Sequence, residues 1–225
     1  MKPKALLSWS SGKDSAWALH RERQRGALEI VALVTTFNEA FDRVAMHAVR
    51  RELVVSQARQ ACLPLWTVPL PWPCSNYEYE QRMKDLLRRA REQEITHFIF
   101  GDLFLEDIRA YREAQLAGSG IEPVFPLWCE RQATPSLARE MIAADLQAYL
   151  TCVDPQKLPS SFAGRKFDAR LLDDLPASVD PCGENGEFHS FCYAGPMFQA
   201  PILCQVGEQQ LRDGFIFADL LPAQE

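Results

Sequence analysis

Hydrophobic positions along the first two-thirds of the chain fall into two alternating patterns. Short apolar runs rich in β-branched or aromatic residues predict strands at Ala5–Trp9, Ile30–Thr36, Leu65–Val68, Thr96–Phe100 and Glu122–Phe125. Longer amphipathic stretches predict helices at Asp14–Gln24, Ala48–Ala61, Tyr77–Gln93, Asp107–Ala117 and Pro135–Ala148. The clearest is Tyr77–Gln93, where Tyr79, Met83, Leu86, Leu87 and Ala90 recur at helical spacing behind a Ser75 or Asn76 cap. Strands alternating with helices of these lengths imply right-handed crossovers. The expected class is α/β, a doubly wound parallel sheet covered on both faces.

The pattern weakens near the C-terminus. Prolines recur at 155, 159, 176 and 181, and Phe188–Ala194, Pro201–Val206 and Phe215–Leu220 read as short strands with glycine turns. The expected division is a sheet domain over residues 1–128 and a smaller α+β domain over 129–225. A length of 225 residues, 47% hydrophobic and 24% charged, suits a globular chain with a real core. The formal net charge of −6 argues against sequence-independent nucleic-acid binding, and Arg88, Arg89 and Arg91 read as a solvated helix face. No apolar run approaches the ~20 residues of a membrane span, and Gly12-Lys13-Asp14 arrives too early for a secretory signal. Seven cysteines without a Cys-x-x-Cys pair read as free thiols, so a cytoplasmic chain is expected. Oligomeric state stays open, with a homodimer among the options.

Chemistry concentrates where the first strand meets the first helix, in Ser10-Ser11-Gly12-Lys13-Asp14-Ser15. A helix N-terminus there offers unpaired N–H groups and partial positive charge. Small residues allow close backbone approach, the hydroxyls add donors and Lys13 adds a full charge, a combination suited to phosphate. A Walker A loop needs Gly where Leu7 stands and Ser or Thr where Asp14 stands; a dinucleotide fingerprint has only Gly12 available. The segment instead resembles the pyrophosphatase loop, Ser-Gly-Gly-x-Asp-Ser, of adenylating enzymes that cleave ATP between the α and β phosphates. Ser11 occupies the place of its first glycine.

Other groups are placed to join it. Gly101-Asp102 ends the fourth strand, where Asp102 could hold Mg2+ or the reacting group. Thr35, Thr36 and Asn38 fall at the carboxyl edge of the second strand, within reach of an adenine. Arg109 either pairs with Glu113 one turn on or grips a phosphate or carboxylate. His47 reads either as a helix-start or core histidine or as a catalyst. The stretch Asp180–Phe191, "DPCGENGEFHSF", is a polar loop entering a strand. Cys182 and His189 lack further ligands at metal spacing.

Taken together, "SWSSGKDS", "MH" at 46–47, "GDL…ED.R.YRE" from Gly101 to Glu113, "PLW" at 126–128 and "GENGEFHSF" at 183–191 resemble the diphthine–ammonia ligase family, a branch of the pyrophosphatase-loop enzymes grouped with adenine-nucleotide alpha hydrolases. The resemblance implies strand order 3-2-1-4-5, an ATP-binding domain and a C-terminal substrate domain meeting at a cleft. It implies ATP with Mg2+, the metal held by Asp14 and Asp102, and nucleotide contacts from Ser10, Ser11, Gly12, Lys13, Asp14, Ser15, Thr35, Asn38 and Gly101. It further implies substrate contacts from His47, Arg109, Glu113, Gly183, Glu184, Asn185, Glu187 and His189. The catalytic set is then Lys13, Asp14, Asp102 and Glu187, with Glu184 or Glu187 orienting or deprotonating the amine. Diphthine-acting members tend to carry Asn-Ser-x-Met after the second strand, where this chain has Asn38-Glu39-Ala40-Phe41. The expected reaction is AMP-forming amide synthesis from a carboxylate, small or protein-borne, and ammonia or an amine. The alternatives are a sulfur-transfer or tRNA-modifying enzyme on the same loop, and a nucleotide-binding protein without chemistry.

Overall fold

The computed structural model describes residues 2–44 and 48–223; the expectation for His47 lies outside them. The chain begins with β1 (Lys4–Ser8), turns into α1 (Lys13–Arg25) and returns as β2 (Glu29–Asn38). A two-residue strand, β3 (Arg43–Val44), precedes α2 (Arg51–Gln60), β4 (Leu65–Leu70) and α3 (Asn76–Glu92). Next come β5 (Ile95–Ile99), α4 (Glu106–Leu116) and β6 (Glu122–Val124). The remainder forms α5 (Thr134–Ala143), β7 (Gln147–Val153), α6 (Ala169–Asp174), β8 (Phe188–Ala194), β9 (Cys204–Arg212) and β10 (Phe215–Pro222).

Five parallel strands lie side by side as β4-β2-β1-β5-β6, and β3 adds an antiparallel pairing at the far end of β2. Counting the parallel strands alone, the order is 3-2-1-4-5. β1 is flanked by β2 (Leu7 opposite Leu33) and by β5 (Leu7 opposite Ile99). The direction of winding therefore reverses beside β1. The turns that leave β1 and β5 open a crevice between them, the place where open α/β sheets bind ligands.

Alternation along β1 sends Leu6 to a core shared with α3, through Met83, Leu86 and Leu87, and sends Ala5 and Leu7 to the opposite face. That opposite face is not closed by helices alone. Its apolar cluster runs from Trp9, Trp17 and Leu19 into Leu150, Phe162 and Phe191 of the C-terminal half. Burying each such side chain stabilises by about 1.5–3 kcal/mol, so the two halves share one core. The second sheet is antiparallel, ordered β8-β7-β10-β9.

Helix ends follow their capping chemistry. Ser75 caps α3 and Glu78 reaches back to the Ser75 N–H, a complete capping box. α1 stops at Gly26, whose left-handed φ of 62° lets its N–H reach the Glu22 carbonyl.

Several boundaries differ from the sequence pattern. The helix expected to continue to Ala148 ends at Ala143, and Asp145 turns the chain with φ 60° into β7. β7 is central to the second sheet, yet its apolar run joins the helical pattern before it without a period of its own. α2 begins at Arg51 rather than Ala48, because Ala48 is left-handed (φ 55°) and Arg50 is extended. The strand expected at Pro201–Val206 is β9, which starts at Cys204 and runs to Arg212. α6 has no counterpart in the sequence reading.

A buried amide joins the two halves. Gln57 on α2, fully buried, accepts from the Trp9 indole N–H (2.8 Å) and donates to the carbonyls of Ser11 (3.0 Å) and Cys192 (2.6 Å). Gln57→Leu keeps the volume but takes the acceptor from the Trp9 indole and a donor from the Cys192 carbonyl, while the Ser11 carbonyl keeps the Cys192 N–H. It is expected to cost about 2–4 kcal/mol, read as a lower urea midpoint, and an unchanged midpoint would remove Gln57 as the link.

Candidate active site

The turn between β1 and α1 is shaped by its neighbours. Ser11 takes the left-handed region, φ 69°, where a side chain costs about 1–2 kcal/mol relative to glycine. It is held there because its carbonyl accepts from the Cys192 N–H (2.9 Å) on β8 as well as from Gln57. Gly12 caps α1 in an extended conformation, and its N–H meets the Ser10 hydroxyl at 3.3 Å. Ser15 donates to the Gly12 carbonyl at 3.0 Å, and its oxygen lies 3.3 Å from that of Ser10. The loop thus points two hydroxyls and the start of a helix at the crevice.

Lys13 is almost completely buried. Its backbone N–H donates to Ser190 Oγ (3.2 Å), and its Nζ lies 2.8 Å from each Asp14 carboxylate oxygen. The same Nζ donates to the Cys182 carbonyl and has the Phe167 and Phe188 rings 5.5 Å away. Burial, the largest single influence, works to lower its pKa, but Asp14, Cys182 and Glu184 together hold it above the ordinary value, so the ammonium stays charged.

The facing wall is the segment Asp180–Ser190. Asp180 accepts the N–H groups of Cys182 (3.1 Å) and Glu184 (3.0 Å). Glu187 Oε1 accepts the Asp180 N–H (3.0 Å) and the Asn185 side chain (2.9 Å). Gly183 has φ 73°, and a Cβ there would stand 2.9 Å from the Phe188 carbonyl, so the turn needs glycine. This scaffold delivers Glu184 into the crevice, where its Oε1 accepts the Leu103 N–H at 2.8 Å. Burial, with Asp14 and Asp102 nearby, pushes the Glu184 carboxyl up to about 8.

On the β5 side, Gly101 brings its turn against the start of α1; a Cβ would lie 3.0 Å from the Asp14 carbonyl carbon and the Ser15 nitrogen. Asp102 meets Arg112 at 3.4 Å, and burial raises its carboxyl pKa against the pull of that guanidinium. These walls enclose a cleft of about 610 Å³. Its polar lining is Ser10, Ser15, Asp14, Asp102, Arg112 and Glu184; its apolar lining is the cluster of Val34, Leu70, Tyr79, Met83 and Phe100, and Arg112 lies over the Phe100 ring at 5.0 Å.

The cleft gathers many of the residues singled out in the sequence and leaves others elsewhere. Ser10, Lys13, Asp14, Ser15, Gly101, Asp102, Gly183, Glu184 and His189 line it. Ser11 and Gly12 shape the loop behind its surface. Thr35 is turned away, its hydroxyl donating to the Trp9 carbonyl (2.7 Å), and Thr36 faces the cleft instead. Asn38 lines a neighbouring cavity. Arg109 pairs with Glu113 at 2.8 Å on the outer face of α4 and lies over Phe125 and Trp128. Arg112 is the cleft arginine, and the spacing of Leu105, Ile108 and Arg112 was the signal for that face. Asn185 and Glu187 are scaffold, not cleft wall. Burial and Lys13 lower the His189 pKa to about 4, keeping its ring neutral.

A raised carboxyl pKa makes folding pH-dependent. Glu184 binds a proton in the folded chain up to about pH 8 but sheds it near 4.5 when unfolded, so stability falls as pH rises between those values. The slope is at most about 1.4 kcal/mol per pH unit for this group. Glu184→Gln keeps the bond to Leu103 and should flatten that decline in urea titrations from pH 5 to 8. An unchanged slope would contradict the assignment.

Comparison with known proteins agrees across both halves. The family model described as diphthamide synthase N-terminal domain matches residues 1–122, and the one described as diphthamide synthase C-terminal domain matches 133–218. Proteins named diphthine–ammonia ligase from Rattus norvegicus (25% identical) and from Bos taurus and Homo sapiens (26% each) align over 97% of this chain and 88% of their own length. The chain belongs to the diphthamide synthase family.

Proposed function

We propose that the chain is an ATP-dependent, AMP-forming ligase that joins ammonia or an amine to a carboxylate; its relatives carry the name diphthine–ammonia ligase. The observation that carries this reading is the composition of one cleft: a phosphate-type turn at a helix N-terminus, an apolar cluster, and acids and an arginine.

In this reading the hydroxyls of Ser10 and Ser15 and the N–H groups of Asp14 and Ser15 take the phosphates, while the apolar cluster of Leu70, Tyr79 and Met83 takes the base. The buried Lys13 ammonium acts through its field and by fixing Asp14. Mg2+ suits the polar lining. Glu184 already carries excess negative surroundings, and Asp14 and Asp102 offer two carboxylates. Among the described residues no three ligating side chains could hold an ion by themselves, so Asp14 and Asp102 would hold Mg2+ together with the nucleotide. Bound there, Mg2+ offsets triphosphate charge.

The carboxylate oxygen bonds to the α-phosphorus and pyrophosphate leaves, giving an acyl adenylate. The amine nitrogen then attacks the acyl carbon and AMP leaves, and the released proton goes to Glu184 in its ionised form, which becomes the major form only above about pH 8. Positioning and electrostatic stabilisation at phosphorus supply most of the acceleration. The structure speaks against sulfur transfer: Cys182 contributes its carbonyl, and burial drives its thiol well above the ordinary range, away from the thiolate form.

Incubation with Mg-ATP, labelled ammonia and a panel of acids tests the reading. AMP and pyrophosphate in equal amounts, with label in an amide, are expected, and Lys13→Met should reduce the rate at least ~100-fold. ADP as product, or bound ATP with no turnover under any acid, would overturn it.

A further inference from the structure

Beside the nucleotide cleft lies a second cavity of about 450 Å³, and the two share Val44 and His189 as a partition. Its chemistry is unlike that of its neighbour. Phe41, Trp72, Phe215 and Phe217 form aromatic walls, with Phe41 and Trp72 meeting edge to face at 5.7 Å. Both are unusually open for large apolar groups, Phe41 53% and Trp72 60% exposed. These walls offer nothing to a triphosphate, and the first cleft already has an apolar cluster for a base.

The cavity is built by a fixed joint between the two sheets. Asp219 on β10 binds Arg43 (2.7 Å) from β3 and Arg50 (2.6 Å) from the start of α2. One carboxylate thus serves two guanidiniums. At the rim, Arg212 lies over the Phe217 ring at 4.5 Å and makes no ion pair among the described residues; Asp213 stands beside it in the turn. Of the charged side chains that line the hollow, Arg43 is neutralised by Asp219, which leaves Arg212, with Asp213 beside it, as the cation open to a ligand. That combination favours an anion with an apolar body.

We propose that this second cavity seats the acid to be amidated, a carboxylate on an apolar body, whose acid end meets Arg212 when it binds, one partition (His189 and Val44) away from the nucleotide cleft. The inference rests on the ligase reading, and it identifies the substrate class: an organic acid whose apolar part fits between aromatic rings. Asn38 and Phe41 both line the hollow.

Titration calorimetry with 3-phenylpropanoate and its neutral counterpart 3-phenylpropan-1-ol tests it, alongside a non-hydrolysable ATP analogue. The acid should bind about 5-fold or more tightly than the alcohol, the effect of one exposed charge pair. Arg212→Gln should abolish that preference, and Trp72→Ala should weaken both probes, while each variant keeps its affinity for the ATP analogue. Absence of binding, equal binding of acid and alcohol, or loss of analogue affinity in either variant would overturn the proposal. An unaltered chain that shows the acid preference yet binds no ATP analogue would instead contradict the ligase reading.

Discussion

The ammonium of Lys13 is a charge held out of water between an acid of its own helix and a carbonyl from the far end of the chain. Removing either partner would leave an ion buried without compensation, a loss of about 3–5 kcal/mol. The contact therefore fixes where the Cys182 turn can sit, and with it Glu184 and His189. The Cys192 and Ser190 contacts act on the same few residues, so the phosphate-type turn is formed as much by β8 as by its own sequence.

Two electrostatic environments follow. The polar lining of the cleft sets three acids, Asp14, Asp102 and Glu184, against Lys13 and Arg112. With Glu184 protonated below about pH 8, Asp14 and Asp102 balance Lys13 and Arg112, and helix dipole and hydroxyls attract phosphate; in the proposed reading a metal-bound triphosphate lies there. Across the His189 partition the second hollow is apolar, with Arg212 at its rim. Keeping His189 neutral spares the boundary a further charge beside Lys13.

Much of the first half was legible in the sequence. Periodicity placed β1, β2, β4 and β5 and their helices within a few residues, and the Ser10–Ser15 turn falls at the winding reversal because β1 is central. What local pattern could not reveal were partners distant in sequence. Thr35 and Thr36 are equivalent by composition, and only the pleat decides that Thr36 faces the cleft. Glu184 and Glu187 are likewise similar by eye, yet Glu187 spends one oxygen on Asp180 and Asn185. Arg109 and Arg112 differ by one turn, and the paired Glu113 draws the first away. β7 escaped because an apolar run that follows a helix carries no strand signature until β8 and β10 pair with it.

The central claim is that one nucleotide is held jointly by the turn after β1 and by the Cys182–Phe191 segment. Amide hydrogen exchange with and without a non-hydrolysable ATP analogue and Mg2+ measures this directly. Joint protection of residues 10–16 and 182–191 at saturating analogue is the predicted result. Protection of one segment without the other, or of neither, would contradict the account.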